Sequence, residues 1–157
     1  MIIKNFELKK NLKKNINFYL LYGPNNGLIE DSINDVLKPN FSKNIYNYDE
    51  NEVLSNTDNF NETIFNKSFF ENDKLIIISR ATDKILNIIK ELLEKEISDL
   101  KVIIKANILE KKSKLRSFFE KSTETIIIPN YEDNNQTLLY LAQNFFKNKK
   151  IKISPQN

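Results

Sequence analysis

Tyr19-Leu20-Leu21-Tyr22-Gly23-Pro24-Asn25-Asn26-Gly27-Leu28-Ile29-Glu30-Asp31-Ser32 is the stretch whose reading decides the fold. A short apolar run breaks at Gly-Pro, a second glycine follows, and apolar residues then recur at Leu28, Ile29, Ile33, Val36 and Leu37. That spacing is helical, and the sequence predicts a helix stopped by Lys38-Pro39-Asn40. Strand, glycine turn and amphipathic helix in this order read like the opening of a nucleotide-binding α/β domain.

Working outward, four more apolar runs have the length of buried strands: residues 44–49 (NIYNYD), 74–79 (KLIIIS), 101–106 (KVIIKA) and 125–129 (TIIIP), besides 17–22 (NFYLLY). Between them the period changes to that of helices. Residues 50–67 read as one or two short helices, with Val53, Leu54, Phe60, Ile64 and Phe65 as their apolar positions. Thr82 is placed to cap a helix whose apolar face is Ile85, Ile88, Ile89, Leu92 and Leu93. Ser113 is placed to cap a shorter one bearing Leu115, Phe118 and Phe119. Near-continuous apolar strands, most followed by a helix, imply a parallel sheet covered on both faces with right-handed crossovers. After Pro129 the pattern changes. A polar segment leads to a helix marked by Leu138, Leu141, Ala142 and Phe145, then to the basic run 147–152, and Ser154-Pro155 has the chemistry of another helix start. The expectation is an α/β domain over 1–129 and the truncated start of a helical domain over 130–157.

Composition removes several function classes. The chain has 157 residues, no Cys and no His, which excludes disulfide scaffolds, thiol nucleophiles, Cys- or His-based metal sites and His general bases. A net charge of +3 is too small to announce a nucleic-acid binder. The abundance of Lys, Ile and Asn is that of an AT-rich genome. No apolar stretch reaches the length of a membrane span, and the first residues lack a signal-peptide pattern, so a cytoplasmic protein is expected.

A phosphate loop works through glycine-shaped backbone amides, a Lys on the β/γ oxygens and a hydroxyl on Mg²⁺. Here Gly23 and Gly27 keep the turn, but the loop is a residue short. Leu28 or Ile29 stands where the Lys belongs, and Glu30 where the hydroxyl belongs. The 74–79 strand ends in Ser79-Arg80, without an acidic residue for Mg²⁺. Three groups missing together speak against nucleotide hydrolysis. The plainest reading is that Gly23, Pro24, Gly27, Leu28 and Ile29 form only a strand-to-helix turn, with no cofactor.

Taken in order, FYLLYGPNNGLIEDSI, NKSFFENDKLIIIS, DLKVIIKANILEKKSKLRSFFEK, TIIIPNYEDN and the terminal IKISPQN resemble the delta subunits of bacterial DNA polymerase III clamp loaders. The resemblance implies an AAA+ (P-loop NTPase-like, RecA-type) first domain with a degenerate phosphate loop and no ATP hydrolysis. It implies a helical lid and a collar domain beyond it. The implied partners are the ring-shaped sliding clamp (the beta subunit) and, through a collar absent here, the gamma/tau and delta-prime subunits, with DNA contacted only weakly or indirectly.

The family inserts an adjacent apolar pair into the clamp. The residues resembling that pair are Phe69 and Phe70, following Ser68. Helical neighbours point about 100° apart, so one core hardly takes both. Burying each ring is worth roughly 2–3 kcal/mol, a large share of the ~8 kcal/mol behind micromolar binding. Phe118-Phe119 repeats the dipeptide, but at core spacing with Leu115. Asn107 stands where related ATPases place a phosphate sensor and is read as a turn residue. Lys111, Lys112 and Lys114, with Arg116 and the 147–152 run, are candidates for DNA phosphate contacts, a solvated helix face being the blander reading. Asp49-Glu50 and Glu132-Asp133 read as loop acids with no base or metal partner, and so not as a site.

Overall fold

The computed structural model describes residues 1–12, 16–41, 44–65, 73–97 and 99–150. A 3-10 turn, Asn5–Glu7, leads into α1 (Leu8–Asn11) and then β1 (Phe18–Tyr22). Next come α2 (Asn26–Asp31), a π-helical turn (Ser32–Leu37), α3 (Lys38–Asn40) and β2 (Ile45–Asp49). Two helices follow, α4 (Glu50–Ser55) and α5 (Thr57–Phe65), then β3 (Lys74–Ser79). A 3-10 turn, Asp83–Ile85, runs into α6 (Leu86–Glu94), before β4 (Leu100–Ala106), α7 (Lys114–Lys121), β5 (Thr125–Pro129) and α8 (Asn135–Asn148).

The five strands form one sheet in the order β2-β3-β4-β1-β5, and every ladder is parallel. This is the α/β sheet that the apolar runs predict. β1 lies inside, with Leu20 in register with Ile104 of β4 on one side and Ile127 of β5 on the other. It is buried along its whole length, so all five of its residues had to be apolar or aromatic. Successive residues serve opposite faces. Phe18, Leu20 and Tyr22 join the core under α4–α7, while Tyr19 and Leu21 join the core under α1, α2 and the π-helical turn. Ile2 bridges to Ile127, so the N-terminal residues lie along the outer side of β5.

The helices match their apolar stripes with local adjustments. Thr82 caps the 3-10 turn through Lys84 N (3.3 Å) rather than an α-helix directly. Ile85, Ile88, Ile89 and Leu92 are buried as predicted, whereas Leu93 is half-buried. Residues 50–65 form two helices, split at Asn56. The helical run that begins with α2 ends at Lys38-Pro39-Asn40 as expected, Asn40 being its last helical residue and Phe41 leaving the helix. Pro39 donates no hydrogen bond and its ring crowds the carbonyl four residues back, and the preceding turn is widened to π geometry, with Lys38 N bonded to Ile33 O.

α8 is helical where its period places it, capped by Asn134 on the Gln136 and Thr137 amides. Its apolar side chains Leu138, Leu139, Tyr140, Leu141 and Phe145 are exposed. Among the described residues no helix is long and apolar enough to cross a membrane.

Candidate functional site

In open α/β sheets, ligands bind beyond the carboxyl ends of the strands where the strand order reverses. Here that point lies between β1 and β4, and the loop Gly23–Asn26 occupies it. Gly23 has φ +130°, and a Cβ on it would collide with the Asn130 carbonyl, so only glycine fits. Gly27 is different. It lies in the first turn of α2, its φ is not positive, and a Cβ would meet only ordinary contact with Asn25 Oδ1 at 3.7 Å. The expectation that both glycines shape the turn is therefore corrected: Gly23 does so alone.

The loop amides are already engaged. Gly23 N donates to Asn107 O (3.2 Å), Asn25 N to Asn130 O (3.3 Å), Asn26 N to Pro24 O (3.0 Å) and Ile29 N to Asn25 O (3.2 Å). Leu28 N donates to Asn25 Oδ1 (3.1 Å), and Pro24 has no N–H to offer. A phosphate cradle needs such amides aimed at the ligand. Where the expected hydroxyl is missing, Glu30 instead accepts from Lys105 Nζ at 2.6 Å, a partly exposed ion pair.

Side chains then tie the loop to the segment beyond β5. Asn25 Nδ2 donates to Asp133 Oδ2 (2.9 Å) and to Tyr131 O (3.3 Å). Asn130 is 1% exposed, so its polar atoms must be satisfied internally. Its amide donates to Tyr22 O (2.7 Å), its Nδ2 to Ile128 O (2.9 Å), and its Oδ1 accepts from Asn5 Nδ2 (3.0 Å). Asn5 Nδ2 also donates to the hydroxyl of Ser32, which itself donates to Leu28 O at 2.6 Å. Below the loop, burial pushes the Tyr22 phenol up to about 12, against the opposing field of the Arg116 guanidinium, whose centre lies 5.2 Å from the ring. The phenol thus stays neutral across the physiological range.

The neighbouring strand ends are held by three carboxylates. Asp49 closes β2 and caps α4. The Asn51 amide, then Arg80, hold its carboxyl below the usual range. Glu50 opens α4 and is buried, its oxygens accepting from Thr82 N (2.7 Å) and from Thr82 Oγ1 (2.8 Å). The expected loop placement of this pair is corrected: Asp49 ends a strand, Glu50 opens a helix, and both fasten α4 to the end of β3. Asp83 accepts from Ser113 Oγ (2.6 Å), Leu115 N (2.9 Å) and Lys114 N (3.0 Å). Burial raises its carboxyl, but these three donors outweigh burial and hold it below the usual range. Arg80, between them, has φ 58°, an uncommon backbone for a non-glycine residue.

Of the other sequence candidates, Ser68, Phe69 and Phe70 lie outside the described residues, as does Ser154-Pro155. Asn107 is exposed at the bend after β4 and serves the loop through its carbonyl. Of the loop acids, Asp133 has a partner in Asn25. Lys111 and Lys112 lie in the turn before α7 and Lys114 opens it, all three exposed, with Lys112 paired to Glu110 at 2.9 Å. Phe119 is buried, and Phe118 is half-buried, edge-on to it at 5.9 Å. The sequence reading missed the Asn5–Ser32–Asn130 network. Its one local signal, an Asn directly after an apolar strand, is drowned in a chain where Asn is common.

No protein-family profile matches the chain, and no curated protein matches it in sequence. Among solved structures, it is similar to the Bacillus subtilis DNA clamp loader delta protein (YqeN), with a TM-score of 0.63 at 15% identity. The match covers 92% of this chain and 48% of that one, so the chain spans about half the length of that protein. At this identity the likeness establishes a shared fold.

Proposed function

We propose that the chain is a non-catalytic, clamp-loader delta-like subunit, which binds a sliding clamp and favours its open form during DNA replication. The observation that carries this reading is the loop after β1. It keeps the position of a phosphate loop while its amides donate to Asn107, Asn130 and Asn25, and its cation and hydroxyl are replaced by apolar residues and Glu30. A nucleotide would have to displace these bonds, and Glu30 would repel it. The fold shared with a clamp loader delta protein supports the same reading.

Under this proposal Phe69 and Phe70, beside Ser68, supply the apolar wedge. A wedge that prefers an open ring shifts the ring equilibrium only by its differential affinity for that form. Residues 1–129 form the clamp-binding domain and 130–157 begin a lid, a role that suits the exposed apolar side chains of α8. Contacts with other loader subunits would need further chain.

Calorimetry of the intact chain with a bacterial sliding clamp tests the wedge. Phe69→Ala/Phe70→Ala is expected to weaken binding at least 30-fold, the equivalent of about 2 kcal/mol at a hot spot. Unchanged affinity in a folded variant rejects the assignment.

A further inference from the structure

On the α4–α7 side of the sheet, α6 and α7 enclose an open cavity of about 570 Å³. Its lining contains five lysines: Lys90 from α6, Lys111 and Lys112 from the turn before α7, and Lys114 and Lys121 from α7. All five are exposed, and no carboxylate is among the lining residues. The sequence explains the arrangement. Leu115 and Phe119, four apart, turn α7 toward the core. The adjacent stripe, Lys114-Ser117-Phe118-Lys121 at i, i+3, i+4 and i+7, therefore faces the cavity.

We propose that this groove binds the phosphate backbone of single-stranded nucleic acid. The nearby acids do not neutralise it. Asp83 is held by Ser113 and the first α7 amides, and Glu120 by Arg116 at 2.8 Å. Only Lys112 has an ion-pair partner among the described residues, Glu110, and that pair is largely exposed and weak.

Lys114 and Lys121 are two helical turns apart, about 10.5 Å along the axis, so their ammonium groups can meet different phosphates of one strand. The floor is Leu86 and the half-buried Phe118 ring, with Lys90 Nζ 5.5 Å above the ring centre. A phosphate that draws Lys90 off this ring exposes an aromatic face on which a base can stack. An acidic peptide fits less well. The groove walls are helices, which offer no open strand edge for main-chain bonding, and buried Leu86 leaves no deep apolar anchor site.

The test is fluorescence anisotropy of the intact chain with a labelled oligothymidylate, titrated from 50 to 200 mM salt. Five lysines acting together give a log–log salt slope of about −3.5, a loss of about 100-fold in affinity over that range. Lys111→Gln/Lys114→Gln/Lys121→Gln is expected to flatten the slope by about 2, and Lys90→Gln/Lys112→Gln by about 1.4. The second variant stands in if the first fails to fold. Lys147→Gln/Lys149→Gln/Lys150→Gln on and after α8 is expected to leave the slope unchanged. No binding at 50 mM salt overturns the proposal, as does a slope that follows the α8 lysines instead. Tighter binding of duplex overturns the single-strand assignment. Displacement by polyglutamate at equal charge reassigns the groove to acidic peptides. Clamp binding does not enter this readout, so either proposal can fail alone.

Discussion

Two glycines in one loop look alike in the sequence and differ in the fold. Gly23→Ala forces a Cβ into the Asn130 carbonyl at a backbone angle alanine avoids. It is expected to cost roughly 3 kcal/mol or more, read as a lower denaturation midpoint. Gly27→Ala is expected to do the reverse. It fits without a clash and restricts the unfolded chain, raising stability by about 0.5 kcal/mol. Asp83 makes a further prediction at this scale, through pH. Its folded carboxyl lies below the unfolded value of about 4, so its contribution is complete above that value and fades as pH falls through the lower folded one. Urea unfolding of Asp83→Asn against the parent across the acid range should show a gap at neutral pH that narrows toward pH 2. A gap independent of pH would remove the ion from the explanation.

α7 shows how an element divides labour between identical neighbours. Phe118 and Phe119 are adjacent and chemically the same, yet one helical step separates the core from the groove. Phe119→Ala empties a fully buried site and is expected to cost about 3–5 kcal/mol, whereas Phe118→Ala, at a half-buried one, should cost about 1. Equal losses would mean that the helix is rotated from the orientation described. The period alone placed both rings near the core, because Leu115 is compatible with either. Only the packing of α7 on β5 and the 3-10 turn before α6 selects Phe119.

For the molecule as a whole, the loop after β1 predicts indifference to nucleotide. A ligand that binds only the folded state at a hundred times its Kd adds about 2.7 kcal/mol of stability. Mg-ATP at millimolar concentration should therefore leave the melting temperature unmoved. A rise of several degrees would restore the nucleotide-binding reading and undo the proposed function.

The sequence by itself determined the five strands, their parallel character, the helices between them and the absence of a cation and hydroxyl from the loop. These follow from apolar period and residue chemistry, which are local properties. The tertiary structure decided the strand order, the difference between Gly23 and Gly27, and the engagement of the loop by Asn130 and Asp133. Those partners lie more than 100 residues from the loop, as the 108-residue separation of Asn25 and Asp133 shows. Hydrogen bonds between such positions have no period to read. They exist because β5 pairs beside β1 and delivers Asn130 to the one place where the chain, at Gly23, has no side chain in the way.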